Sequence, residues 1–443
     1  MPFLRTHACR SRSNARRTIL FSAGLVVLLA GFVSVGQAQG PSSTGTWWLN
    51  LRTTGYVYQS FDPAGDTIDR FEGYQHVSGS MSGLASGKLT FRMSARFADD
   101  LRYDAESLEF SRLHRAQLVY RPNSRFRIEA GRQFIQEGVA SLTLDGARVE
   151  YRHDRRWQAT FWNGTRAPFG HGFDLADSDD ATARGARFAW TPSGSMRLGL
   201  STAYRKRGGV VAVRPVGLEC SASATSGLRF MGRADYDLEL ESWRRLEGQV
   251  LWRQAECLPE VRLQVLNRRP TIDAASWFSR FNNTDRIQLT RLVVRHEVRD
   301  GWGGEAEYLG TFVDTRSANR TGLAVLMPFG RVGWSVHRGD VGDDSGLYGD
   351  LGGRLNSWLR AEGSASILSY TLLQDDPLEE ERVVTTLAGR LRADLKPGMQ
   401  VTAEIQRIET PVHTHDVRFL LGVNLAASGG ASRFGLMSGE VRP

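Results

Sequence analysis

The chain has 443 residues, 41% hydrophobic and 23% charged, with 47 Gly and 14 Pro, which excludes a disordered or collagen-like polypeptide. Its formal charge of +8 would suit a nucleic-acid partner, but five arginines (Arg5, Arg10, Arg12, Arg16, Arg17) sit in the N-terminal segment alone. An apolar run over 19–35 and then Gly36-Gln37-Ala38 complete the pattern of a secretory signal peptide cleaved after Ala38.

A membrane anchor is the competing reading of that run, and Arg16-Arg17-Thr18-Ile19-Leu20 also fits a twin-arginine signal. The small residues at the expected cleavage position favour an ordinary export signal. Removing the leader takes the formal charge from +8 to +3, so no nucleic-acid partner is expected. Of the 56 basic residues only Lys88, Lys206 and Lys396 are lysine; the rest are arginines, rigid forks that pair with carboxylates and phosphates. After cleavage two cysteines remain, Cys220 and Cys257, and the sequence leaves open whether they bond in an oxidising compartment.

Residues 47–61 open the mature chain as an aromatic-rich strand whose Trp47-Trp48 pair suits a membrane interface. A turn at 62–66 and a hairpin of 76–84 with 89–97 follow, then a less regular run, 108–120, ending at Arg121-Pro122-Asn123. In 124–151, Phe126 and Ile128 alternate with Arg125, Arg127 and Glu129, and Ala147, Val149 and Tyr151 alternate with Arg148 and Glu150. That is strand periodicity, apolar on one face and charged on the other. The phase slips at Gly131-Arg132-Gln133 and at Asp145-Gly146, which predicts β-bulges there.

Trp157, Ala159 and Phe161 continue the pattern, and a polar insertion over 165–182 carries Asp174, Asp177, Asp179 and Asp180. Residues 228–241 read as one long strand, partnered by 246–252 and 261–265, before a second insertion over 267–285. The scheme recurs through 306–312, 332–336, 383–395 and 401–405, and the last strand is placed at 417–425. A soluble sandwich with one wet face is the plainer alternative, but the export signal, the long alternations and alternating short turns and long polar insertions favour a membrane barrel. The fold expected is all-β, a single transmembrane antiparallel β-barrel of about 18 to 20 strands. The leader would occupy 1–38, the barrel 39–427 and a tail or short extra strand, with Phe434, 428–443.

A strand ending in Gly131-Arg132-Gln133, a short loop with Gly138, and a strand opening on Asp145-Gly146-Ala147-Arg148 are similar to a segment of Gram-negative porins of the alginate-export and related substrate-specific types. The resemblance covers about 30 residues. It implies a lumen lined by Arg and acidic side chains that passes anionic solutes, with Arg125, Arg127, Arg148 and Glu150 in that role. The chain departs from the common pattern in not ending on the aromatic residue that barrel-insertion machinery reads.

The pore-lining set expected is Arg125, Arg127, Glu129, Arg132, Gln133, Asp145, Arg148, Glu150, Arg187, Arg197, Arg229, Arg233, Asp235, Arg245, Glu247, Arg262, Arg331, Arg390 and Arg392, of which Arg132, Gln133, Asp145 and Arg148, where the phase slips and bulges would re-aim side chains, are the candidates for a specific role. Many have an opposite charge two residues away, so a structural ion-pair network and a conducting arginine lining are both open. His413 and His415 could bind a metal but lack a third ligand, and the acidic insertion lacks the register of a Ca²⁺ loop. No nucleophile motif or phosphate-cradling loop appears, so neither catalysis nor a cofactor is expected. The expected partners are outer-membrane lipid, small solutes and the barrel-insertion machinery. A non-conducting scaffold for a partner protein and an outer-membrane lipid hydrolase are the other readings weighed.

Overall fold

The structure, a computed structural model, describes residues 45–61, 67–100, 110–168, 172–253, 258–269, 286–340, 342–372, 382–410, 416–430 and 433–434. The leader, the turn at 62–66, His171, Cys257, residues 270–285 of the second insertion, His413 and His415 lie outside them. The strands, in chain order, begin with β1 (Thr46–Phe61), β2 (Thr67–Leu84), β3 (Leu89–Asp100), β4 (Phe110–Tyr120), β5 (Phe126–Glu137), β6 (Ala140–Arg152), β7 (Trp157–Arg166) and β8 (Thr182–Ser193). Next come β9 (Met196–Arg207), β10 (Val210–Val213), β11 (Pro215–Thr225), β12 (Leu228–Asp237), β13 (Ser242–Trp252), β14 (Glu260–Arg268), β15 (Ile287–Arg299) and β16 (Trp302–Val313). The last are β17 (Arg316–Met327), β18 (Gly330–Gly339), β19 (Gly342–Arg354), β20 (Leu359–Leu372), β21 (Arg382–Lys396), β22 (Met399–Glu409), β23 (Asp416–Gly430) and the two-residue β24 (Arg433–Phe434). One helical turn, α1 (Ser178–Ala181), lies between β7 and β8 and is capped by the Asp177 side chain.

Each long strand pairs antiparallel with the next, and β23 returns to pair with β1 from Thr46↔Gly430 to Val57↔Phe419, closing the sheet. β10 pairs only with the end of β9, and β9 passes its ladder on to β11; β24 pairs only with the end of β23. The barrel therefore has 22 staves, more than the 18 to 20 expected. The shortfall comes from strands such as β19, GDDSGLYGDLGGR, whose glycine and aspartate hide the alternation. Two boundaries also change: β12 stops at Asp237, with Leu238 and Leu240 in the turn that follows, and the last long strand runs on to Gly430.

The alternation sorts side chains to the two sides of the wall. Phe161, Leu200, Leu218, Leu347 and Ile405 face outward and are 54–58% exposed, whereas Glu129, Glu150, Thr160, Ser201 and Asp235 face inward and are buried. That is the reverse of a soluble domain and matches a wall whose outer solvent is hydrocarbon. Aromatic residues mark both ends of the apolar band. Trp157 stacks on Trp190, and Trp302 meets Phe329 edge-on, at the end with short turns; Tyr236 meets Trp243 edge-on at the other. The longest connections, 167–181 and 269–286, share that second end, which makes it the extracellular one.

Placing an arginine in the middle of the outward band tests this polarity. Leu200→Arg is expected to cost about 2–4 kcal/mol of stability in lipid vesicles, read by guanidinium unfolding. Met231→Arg on the inward face should change it by less than about 0.5 kcal/mol.

Candidate functional site

β5 and β6 begin as ordinary staves. Their register runs unbroken from Phe126↔Tyr151 to Glu137↔Ala140, so the predicted bulges are absent. What breaks the pattern is Gly131, at φ +109°, where a Cβ would lie 2.2 Å from the Ala116 carbonyl oxygen. β4 stays paired with β5 only from Tyr120↔Ile128 to Ala116↔Arg132, and beyond that point the two strands part.

The upper half of the β5–β6 hairpin has turned into the barrel. Its tip, Gly138-Val139, is held by residues on the inner face of distant staves. Ser201 Oγ of β9 accepts from Val139 N (3.1 Å), and Arg233 Nη2 of β12 donates to the Gly138 carbonyl (2.9 Å). The fit is close: a Cβ on Gly138 would lie 2.1 Å from Ser201 Oγ, and one on Gly217 would lie 2.3 Å from Val139 Cγ1. Beneath the hairpin Ile135, Ala140, Leu144, Trp162 and Ala183 form a buried apolar cluster flanked by Leu142. The phase slip at Asp145-Gly146 thus has a packing cause: Leu142 and Leu144, just before it, face inward onto the hairpin's own cluster instead of water.

Around the hairpin the inward charges are paired. Arg148 bonds three carboxylates: Glu129 at 2.9 Å, Glu137 at 2.5 Å and Glu150 at 3.0 Å. Arg187 joins Glu219 (2.9 Å) to Glu137 (3.5 Å), Arg233 holds Asp235 (2.8 Å), and Arg127 pairs with Glu129. Glu137 and Glu219 are the members the sequence reading missed; a glutamate next to a hairpin glycine was the one available signal for Glu137. Gln133, 1% exposed, donates to the Gly146 carbonyl (3.3 Å).

Arg132 and Asp145 correct the expected set, because they are not on the inward face. They share the row of outward Ala130 and Ala147, and Arg132 closes the seam where β5 leaves β4. Its guanidinium holds both Asp145 oxygens (2.7 and 2.8 Å) and donates to the carbonyls of Leu113 (3.3 Å), Gly172 (2.9 Å) and Asp174 (2.6 Å). The Leu113 amide in turn donates to Gly172 O (3.2 Å), so residues 172–174 take the place beside β4 that β5 vacates.

The remaining expected residues fall into two groups. Arg197 and Arg229 face inward at the short-turn mouth, where with Arg152, Arg155 and Arg156 they line a recess of about 850 Å³; Arg125 lies in the neighbouring turn. Beside the hairpin tip, where it shares a recess with Val139, Arg245 pairs with Glu247 (2.5 Å); farther around the wall Arg262 pairs with Glu260 (3.4 Å), Arg331 with Asp350 (3.2 Å) and Arg390 with Glu404 (2.7 Å). Arg392 shares the inward face of β21 with Arg390. Here the side chains are wet: Arg262, Arg331 and Arg390 are 42–47% exposed, against 11% for Arg148.

No family profile matches the chain, and no curated protein does. Among solved structures it is similar to OccAB4 of Acinetobacter baumannii (8% identity, 88% of this chain and 100% of that one, TM-score 0.42). It is also similar to OccK9 (OpdG) of Pseudomonas aeruginosa (10%, 88% and 100%, 0.43) and to the usher PapC translocation pore (11%, 86% and 99%, 0.44). These TM-scores lie below 0.5; the class of the protein follows from the closed ladder, the outward apolar band and the aromatic girdles. It is an outer-membrane β-barrel of 22 strands.

Arg148→Ala takes the inner of two cations from Glu129 and from Glu150, each 4% exposed, leaving them Arg127 and Arg152 respectively, and is expected to cost about 3 kcal/mol in equilibrium unfolding. Adding Glu129→Gln and Glu137→Gln should recover part of the loss, whereas Arg331→Ala on the wet side should cost under about 1 kcal/mol.

Proposed function

We propose that the protein is a passive channel for small anionic solutes, sugar acids among them, narrowed on one side by the inward hairpin. The observation that carries this is the contrast between the two sides of the lumen. Arg148 and Arg187 under the hairpin are 11% and 14% exposed, while Arg262, Arg331 and Arg390 across from it, though also paired, are 42–47% exposed, as they would be along a water-filled path. Arginines concentrate at the short-turn mouth, where Arg152, Arg155, Arg156, Arg197 and Arg229 face a recess whose lining includes one carboxylate, Asp154. Such a cluster raises the local anion concentration and favours anions electrostatically.

The paired arginines have a different task in this reading. Arg148 and Arg187 hold the hairpin down, so they set the size of the opening, and the less encumbered arginines at the mouth set the sign of the charge that passes. In this reading the arginines divide between the two roles by sector.

Single-channel recording in planar bilayers is the test. Discrete conductance steps with anion preference are expected, and Arg197→Gln with Arg229→Gln should reduce the preference without changing the fold. Gly138→Val, which cannot fit beside Ser201, should dislodge the tip and raise conductance. Absence of any conductance, in wild type and Gly138→Val alike, would rule out the channel and leave the scaffold.

A further inference from the structure

Across β7, β8 and β9 the outward side chains fall into rows. One row reads Phe161, Ala186, Thr202 and Val216; the row beyond it toward the extracellular end reads Asn163, Arg184 and Tyr204. Arg214, two residues before Val216 and exposed, extends the second row beyond β9, and Lys206 follows Tyr204 on the same side. The Arg184 guanidinium lies over the Tyr204 ring, 4.7 Å from its centroid, which fixes its plane and leaves its edge donors free. A groove of about 620 Å³ runs along these residues, with Phe161 and Ala186 at its apolar end and Arg184, Tyr204 and Arg214 at its polar end. Below it the wall continues into Phe188 and Leu200, 43% and 54% exposed.

We propose that this groove binds a phosphate-bearing lipid of the outer leaflet, phosphate against Arg184 and Arg214 and acyl chains along Phe161, Phe188 and Leu200. A cation on a lipid-facing wall is costly unless an anion or the interface receives it. Two other outward cations at this end bring their own carboxylate: Arg338 pairs with Asp343 (2.7 Å) and Arg407 with Glu409. Arg184, Lys206 and Arg214 have no ion pair among the described residues. Nearby carboxylates among the described residues make no ion pair with these three cations. Arg132 holds Asp145, Asp237 is wholly buried and bonds the Arg214 backbone amide, and the Asp177 carboxylate caps α1. Asp179 and Asp180 stand on that exposed turn. The missing counter-charge is therefore external, and phosphate suits a guanidinium fork. The apolar end of the groove distinguishes a lipid from a free anion: a soluble solute would leave Phe161 and Ala186 uncovered, whereas an acyl chain extends the apolar band upward.

The test uses the whole barrel in detergent and is independent of conductance. Binding of bis-phosphorylated lipid A, of its dephosphorylated form and of inorganic phosphate is measured by native mass spectrometry and by the shift in unfolding temperature. Wild type should retain the bis-phosphorylated lipid and not the dephosphorylated one, with inorganic phosphate failing to displace it. Each of Arg184→Gln and Arg214→Gln should weaken retention about tenfold, the loss of one charge-assisted contact, and Arg184→Lys should restore part of it. Folding of every variant is checked by its heat-modifiable gel migration; a variant that fails is replaced by Lys206→Gln, which should weaken retention as well. Equal retention by folded glutamine variants, equal binding of the dephosphorylated lipid, or displacement by inorganic phosphate would overturn the proposal.

Discussion

Everything in this protein depends on one constraint: inside a bilayer the backbone amides and carbonyls of a sheet must all find partners within the wall, so the sheet has to close on itself. The β1–β23 ladder meets that requirement over the length of the barrel. At one place the chain breaks it, since a hairpin cannot bend inward without separating from the strand beside it. The exposed edge of β4 is then covered by residues 172–174, and Arg132 ties the repair together through two oxygens of Asp145 and three backbone carbonyls. An arginine suits the seam because its fork reaches several acceptors at once, which a lysine ammonium cannot do in a fixed plane.

The inward hairpin divides the interior into two electrostatic environments. On its own side water is excluded, and Arg148, Arg187 and Arg233 are each kept by carboxylates in hydrogen-bond contact, since an unpaired ion there would carry its full desolvation cost. On the other side the same residue types remain hydrated, so their pairs are weak and their charge is felt by whatever passes. Position relative to the hairpin, more than residue type, decides whether an arginine holds the structure or lines a path.

Much of the wall could be read from the sequence, because period-two alternation is a local property. Phe126, Ile128, Val149 and Phe161 announce an apolar outer face with no knowledge of their neighbours. Strands such as β19 escaped because glycine and aspartate satisfy the ladder equally well while leaving no hydrophobic trace, and Leu240 misled because a turn can prolong an alternation by chance. The site was legible only in outline. The break at Gly131-Arg132-Gln133 was visible, but its cause was not: that Ser201 and Arg233 meet the tip of a hairpin some 60 to 95 residues away in sequence is set by barrel closure. Likewise Arg132 looked like a lumen residue by type, and only the parting of β4 from β5 makes it a wall residue.

The most direct measurement of the central claim, that the hairpin tip resides inside the barrel against β11, is disulfide trapping. In a background free of other cysteines (Cys220→Ser, Cys257→Ser), Val139→Cys and Gly217→Cys face each other: Val139 Cγ1 lies 2.3 Å from the ideal Cβ at residue 217, so the tip need back off by only about 1 Å to reach the roughly 3 Å between a disulfide sulfur and the opposite Cβ. The bond should form readily on mild oxidation in the membrane-embedded protein, and single-channel conductance should be the same before and after it forms. Failure to cross-link, or a conductance that falls when the bond closes, would show that the tip normally lies elsewhere and would contradict the account.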